Sequence, residues 1–235
     1  LDKKATLKLI VSTNAALGRL DKDHIDTRKF IVGPRDKIYR VLSKERVWKS
    51  QAVVFFLRDY SRSMWGEQTK AVVNQHLMIY AWLMDQYENL VIPRFIVHDH
   101  AAREVSMIRY FREIATGGTL IASGYKKINE IVEHEGLERD YNIYVFQGTD
   151  GDDGVWDDGR EAIAEIEKIL GYVNRMGISV LRYPYYGDRE TPFEEYVKKG
   201  NFEDNKAAFR MHVMSSVDVT EDDNIEAIKA LVAQD

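Results

Sequence analysis

Ala52-Val53-Val54-Phe55-Phe56-Leu57-Arg58-Asp59-Tyr60-Ser61-Arg62-Ser63 is the stretch on which the reading of this 235-residue chain turns. Its first six residues are an unbroken apolar run, too short for a typical helix and rich in β-branched and aromatic side chains. Such a run suits a strand buried on both faces. Directly after it a carboxylate and two hydroxyls fall at alternate positions, Asp59, Ser61 and Ser63, and can aim oxygens at one centre.

Working outward, the spacing predicts a helix over 67–87, with Val72, Gln75/His76, Ile79, Leu83 and Gln86 along one side. A strand over 90–97 ends at His98-Asp99-His100, and residues 101–106 suit a short edge strand. Thr116-Gly117-Gly118-Thr119 is a flexible turn before a helix over 120–134. A third buried strand over 143–146 closes on Gly148-Thr149-Asp150-Gly151-Asp152-Asp153. A helix (157–173), a strand (178–183), a short helix (192–198), a last strand (207–215) and a terminal helix from Thr220 complete the pattern. Strands alternating with helices predict an α/β fold: a doubly wound, mostly parallel, Rossmann-like sheet with helices on both faces. In such sheets ligands sit at the carboxyl ends of the strands near the switch point, where these polar loops should meet.

The first 50 residues stand apart. They hold 13 Lys and Arg against 6 Asp and Glu, whereas the rest of the chain carries a net −12. Gly33-Pro34 breaks them, and they are expected as a basic, extended or partly helical arm (1–50) wrapping the domain (51–235). No aromatic and basic residues interleave as single-strand binders require, so the charge argues weakly for nucleic acid. Cysteine is absent, which excludes disulfides and thiolate metal sites and fits a cytoplasmic location. No apolar run approaches bilayer length, so no membrane span is expected. The chain starts without Met or a signal sequence and is taken as part of a longer protein.

Asp59, Ser61, Ser63, Thr119 and Asp150 together offer two carboxylates and three hydroxyls. This hard, all-oxygen shell suits Mg²⁺, Mn²⁺ or Ca²⁺ and is poor for Zn²⁺ or copper. The bland alternative is loop capping, a common use of Asp, Ser and Thr. Asp152, Asp153, Asp157 and Asp158 lack EF-hand spacing and are expected as a solvated loop leading into a helix.

These residues also carry a resemblance. Asp59-x-Ser61-x-Ser63, Gly117-Gly118-Thr119 and Thr149-Asp150-Gly151, in that order, look like the metal-ion-dependent adhesion site (MIDAS) of von Willebrand factor A (vWA) domains. Ala52 to Phe56, the strand ending at His98, Tyr141-Asn142-Ile143-Tyr144 and Asp150-Gly151-Asp152 are similar to the YeaH/YhbH family of bacterial stress- and sporulation-associated proteins. That likeness implies a cytoplasmic protein working beside a PrkA-type serine protein kinase and a SpoVR-type protein. Two features depart from the family pattern: Arg62 replaces a glycine between the serines, and Asp99 separates His98 from His100.

The expected function is a metal-dependent interaction module that receives a Glu or Asp from a protein partner. Trp65, His98, His100 and Asp152 are expected to shape partner contact around the metal. The alternatives are a metal-dependent hydrolase or phosphoryl-transfer enzyme, with His98 or Asp152 as the candidate base, and a scaffold whose site has decayed through Arg62. No phosphate loop, dinucleotide fingerprint or nucleophile elbow supports an enzyme.

Overall fold

The computed structural model describes residues 3–18, 30–37, 51–112, 117–154 and 157–233. They fall into two compact units, 1–47 and 48–235. In the first, helix α1 (Lys3–Ala16) is tied by two polar side chains, Asn14 and Thr13. Buried Asn14 donates to the carbonyls of Ile10 and Ile31 and accepts from the Ile31 amide, each at 2.9 Å. Thr13 donates to Asp36 at 2.9 Å, within the 3₁₀ turn that starts at Pro34. The break expected at Gly33-Pro34 is this turn.

The second unit is built on β1 (Ala52–Asp59), buried along its whole length. Helix α2 (Glu67–Gln86) follows, then β2 (Val91–His98), β3 (Ala102–Val105) and a short α3 (Met107–Arg112). Next come α4 (Ile121–Glu135), α5 (Leu137–Asp140), β4 (Asn142–Thr149), α6 (Arg160–Tyr172) and β5 (Arg175–Arg182). Helix α7 (Pro192–Lys199), β6 (Phe209–Ser215) and α8 (Glu221–Val232) end the unit. The strand order is β3-β2-β1-β4-β5-β6, parallel except for the antiparallel edge strand β3. Helices pack on both faces of the sheet, as expected for a doubly wound α/β fold.

Strand alternation sends β1 side chains to two cores. Val53, Phe55 and Leu57 join residues of α4, α6 and α7, while Ala52, Val54 and Phe56 join those of α2, α3 and α8. The buried side of α2 runs through Val72, Gln75, His76, Ile79 and Leu83 as expected, but Gln86 is exposed at its end. Helices α3 and α5 are additions to the expected pattern, too short to reveal a 3.6-residue period. Strands β4 and β5 start earlier than expected, at Asn142 and Arg175. β1 lies between β2 and β4, so the switch point falls between β1 and β4 and puts Asp59 and Asp150 on its two lips. Among the described residues, no helix is long and apolar enough to cross a membrane.

Candidate metal centre

Asp59 is the last residue of β1 and is fully buried. Its Oδ1 accepts the Ser61 amide at 2.8 Å, which folds the loop back over the strand end. Its Oδ2 accepts the hydroxyl of Thr149, the last residue of β4, at 2.9 Å. The hydroxyls of Ser61 and Ser63 lie 2.9 Å apart. Asp150, also fully buried, accepts the Asp152 amide at Oδ1 (3.1 Å), while its buried Oδ2 has no hydrogen-bond partner among the described residues.

Electrostatics tie the two carboxyls together. Burial pushes Asp150 up to about 7, with the neighbouring Asp59 charge adding to the rise and the Ser63 hydroxyl opposing it. Burial likewise pushes Asp59 up to about 6, against the hydrogen bonds from Ser61 and Thr149. None of these main influences is a cation. Two buried acidic groups side by side resist simultaneous ionisation until a positive charge joins them.

Thr119 reaches the same rim through its main chain. Gly117 donates to the Tyr60 carbonyl at 3.2 Å and accepts from the Arg62 amide at 3.0 Å, so this turn lies along the loop after β1. The Thr119 carbonyl accepts the Gly154 amide at 2.9 Å, joining it to the loop after β4. The glycine pair is required by packing: a Cβ on Gly117 would lie 2.3 Å from Asp99 Cβ, and one on Gly118 2.4 Å from the His100 ring. The residue separating His98 from His100 thus seats the turn that carries Thr119. Gly151 has φ +84°, and a Cβ there would strike Thr191 at the start of α7.

The residues expected at the partner surface separate into three groups. Trp65 is 67% exposed and His100 is exposed, so both are accessible. Asp152 accepts hydroxyls from Tyr185 (Oδ2, 3.0 Å) and Tyr186 (Oδ1), which engages it within the rim. His98 corrects the expectation. It pairs with Asp59 across β1 and β2, is fully buried, and packs towards Gly124 of α4. Burial holds its imidazole down at about 4, so it is a neutral inner residue and not a surface contact. Arg62 is exposed. Among the described residues, no group of three or more His, Cys, Asp and Glu converges on one point, so any cation here depends on hydroxyl ligands as well.

Thr149, already part of the Thr149-Asp150-Gly151 motif, and three tyrosines that the sequence did not single out also build the rim. Thr149 was readable as the strand-end partner of Asp59, because parallel register puts Gly148 opposite Arg58. Tyr183, Tyr185 and Tyr186 follow β5 at the same carboxyl edge, and Tyr183 donates to the Ser63 carbonyl at 2.5 Å.

Solved structures with this arrangement of elements include the D319A mutant of the PilB minor pilin from Streptococcus sanguinis. The match has a TM-score of 0.52 at 8% identity, covers 80% of this chain and 61% of that one, and is a likeness of fold alone. An aerotolerance-related membrane protein from Bacteroides fragilis matches at a TM-score of 0.43 and 15% identity, over 77% of this chain and 96% of that one. Among curated relatives, a UPF0229 protein of Ruminiclostridium cellulolyticum is 33% identical over 63% of this chain and 37% of its own length. One from Vibrio parahaemolyticus is 34% identical over 65% and 37%. The chain therefore spans only about a third of the length of the curated relatives it matches. Residues 9–232 match the family described as "Protein of unknown function (DUF444)", and the chain belongs to that family.

Proposed function

We propose that this rim binds a divalent cation, Mg²⁺ or else Mn²⁺ or Ca²⁺, and that the domain is a metal-dependent protein–protein interaction module. Ser61, Ser63 and Thr119 would offer hydroxyls, with Asp59 and Asp150 acting directly or through water. The observation that carries this reading is Asp150 Oδ2, a buried carboxylate oxygen without a hydrogen-bond partner among the described residues, beside a second buried carboxyl. Leaving such a group unmatched is costly, and a hard divalent ion offsets both charges. A bound cation supplies an exchangeable coordination position, for which a Glu or Asp of the partner is the favoured ligand. Arg62, exposed between the serines, adds attraction for that incoming carboxylate.

The YeaH/YhbH resemblance suggests a PrkA-type serine protein kinase or a SpoVR-type protein as partner, in a cytoplasmic stress or sporulation setting; this part is analogy. A metal-dependent hydrolase or phosphoryl-transfer enzyme has less support. Of its two candidate bases, His98 is buried and Asp152 is engaged by two tyrosine hydroxyls.

Calorimetric titration of Mg²⁺, Mn²⁺ or Ca²⁺ into chelator-stripped protein should give one bound ion and a higher Tm. The Asp59→Ala/Asp150→Ala variant should give neither. A wild type that ignores Mg²⁺, Mn²⁺ and Ca²⁺ alike defeats the proposal and favours the decayed scaffold.

A further inference from the structure

We propose that Tyr183, Tyr185 and Tyr186 form the second half of the ligand surface, a platform that takes a lysine or arginine from the same partner segment whose Glu or Asp meets the cation. The inference rests on the metal reading above and adds a basic requirement to the acidic one.

The platform is continuous with the rim. Tyr183 donates to the Ser63 carbonyl at 2.5 Å, and Tyr185 and Tyr186 both donate to Asp152, whose amide in turn holds Asp150 Oδ1. The rings are packed together, with centroids 5.8 Å apart for Tyr183 and Tyr185 and 4.5 Å for Tyr185 and Tyr186. The three hydroxyls are occupied, so what the platform offers an arriving ligand is ring surface. Tyr185 is 59% exposed. An aromatic face is negative at its centre and attracts cations, and a carboxylate accepting two phenolic hydrogen bonds enriches those rings further.

The surroundings favour a cation as well. Asp188, Glu190 and Glu195 line the groove of about 630 Å³ beside Tyr185 and Tyr186. Glu190 is paired with Lys198, which leaves two acidic groups facing the groove's one arginine. The Arg189 guanidinium is turned onto the carbonyls of Tyr185 (3.1 Å) and Tyr186 (3.4 Å). A basic side chain therefore finds matching charge here, and an acidic one finds repulsion.

The loop bearing the rings is also fixed before any ligand arrives. Arg182 at the end of β5 pairs with Glu194 in α7, closing the loop's base. Thr191 and Glu194 form a capping box, and the Phe193 amide donates to the Gly151 carbonyl at 3.1 Å. Such a surface gives up little conformational freedom on binding.

The test uses an immobilised peptide series in Mg²⁺, with one Glu fixed and a Lys scanned through the neighbouring positions, probed with wild type, Tyr185→Leu and Tyr185→Phe. At one or two registers the Lys should improve affinity about two- to fivefold, the size of an exposed cation–π contact. Measured against each variant's own affinity for the Glu-only peptide, Tyr185→Leu should lose that gain and Tyr185→Phe, which keeps the ring, should keep most of it. A gain at no register, or one that survives Tyr185→Leu, overturns the platform; Mg²⁺-dependent capture of the Glu-only peptide would then leave the metal reading standing. Capture that is absent, or indifferent to chelator, removes the metal reading and the platform together. Melting curves of the two variants establish that each is folded.

Discussion

Arg58 and Asp59 are consecutive residues of β1, both fully buried, and strand geometry sends them to opposite faces of the sheet. On the α2 side the Arg58 guanidinium lies 5.1 Å over the rings of both Tyr60 and Tyr110. The Tyr110 hydroxyl meets His76 Nδ1 at 2.6 Å, and burial, with help from Arg58, holds that imidazole down at about 3. The cation there faces π-systems and a neutral ring. On the other face Asp59 meets a second carboxyl, Asp150, one oxygen of which has no partner among the described residues. Equal burial thus yields two different objects: a matched cluster that holds the fold, and a like-charged cluster that needs something from outside.

The largest effect should come from breaking the matched cluster. Arg58→Ala leaves a cavity and strips Tyr110 and His76 of the charge they pack around, which should cost about 3–5 kcal/mol in denaturant unfolding. That loss should be equal with and without Mg²⁺. Asp150→Asn acts on the other cluster with the opposite sign. It keeps the shape and removes one of two like charges, so the metal-free fold at pH 8 should gain about 2–3 kcal/mol while the Mg²⁺-induced rise in Tm disappears. A variant that loses stability at pH 8 would mean that Asp150 is already compensated.

pH sharpens the same contrast. Asp59 and Asp150 have folded values raised to about 6 and about 7, chiefly by burial, so between pH 4 and 7 these two carboxyls hold more protons in the folded chain than in the unfolded one. Their contribution to stability is greatest at low pH and is lost as pH climbs through those values. His76 and His98, lowered to about 3 and about 4, work oppositely: their contribution is present above the unfolded value of 6.5 and is lost as pH falls. The wild-type profile mixes the two. The difference between Asp150→Asn and wild type isolates the carboxyl and should widen with pH from 4 to 7, by up to about 1.4 kcal/mol per unit, then level off. Unfolding curves of metal-free protein at four pH values measure it, and a flat difference would separate Asp150 from the coupled pair.

The two clusters were not equally legible in the sequence. The rim was readable because an apolar run followed at once by Asp59, Ser61 and Ser63 marks a strand end, and alternation with helices places such ends together. The sides that individual residues face were harder to read. β2 continues one residue further than its apolar run suggests, and that residue is His98, carried inside by its pairing with Asp59. In a strand one position decides between core and surface. The tyrosine wall has no period to detect, since it depends on how the loop after β5 folds back against Asp152. Tyr110 sits on a six-residue helix too short to be recognised by its spacing.

Two hydroxyl deletions of similar size test whether the distinction survives at the level of single hydrogen bonds. Tyr110→Phe removes the partner of His76 Nδ1, and Thr149→Val removes the hydroxyl that donates to Asp59 Oδ2 and accepts the Gly151 amide at 3.1 Å. Each should cost about 1 kcal/mol in the metal-free protein, the usual net value of a buried hydrogen bond. Their response to Mg²⁺ should differ. Tyr110→Phe lies on the far face and should show the full wild-type rise in Tm. Thr149→Val frees the Asp59 carboxyl and the Asp150–Gly151 turn to shift, so its Mg²⁺ response should shrink. Equal responses in the two variants would mean that Thr149 holds the fold in the way Tyr110 does, and that the like-charged cluster extends no further than its two carboxyls and the serines.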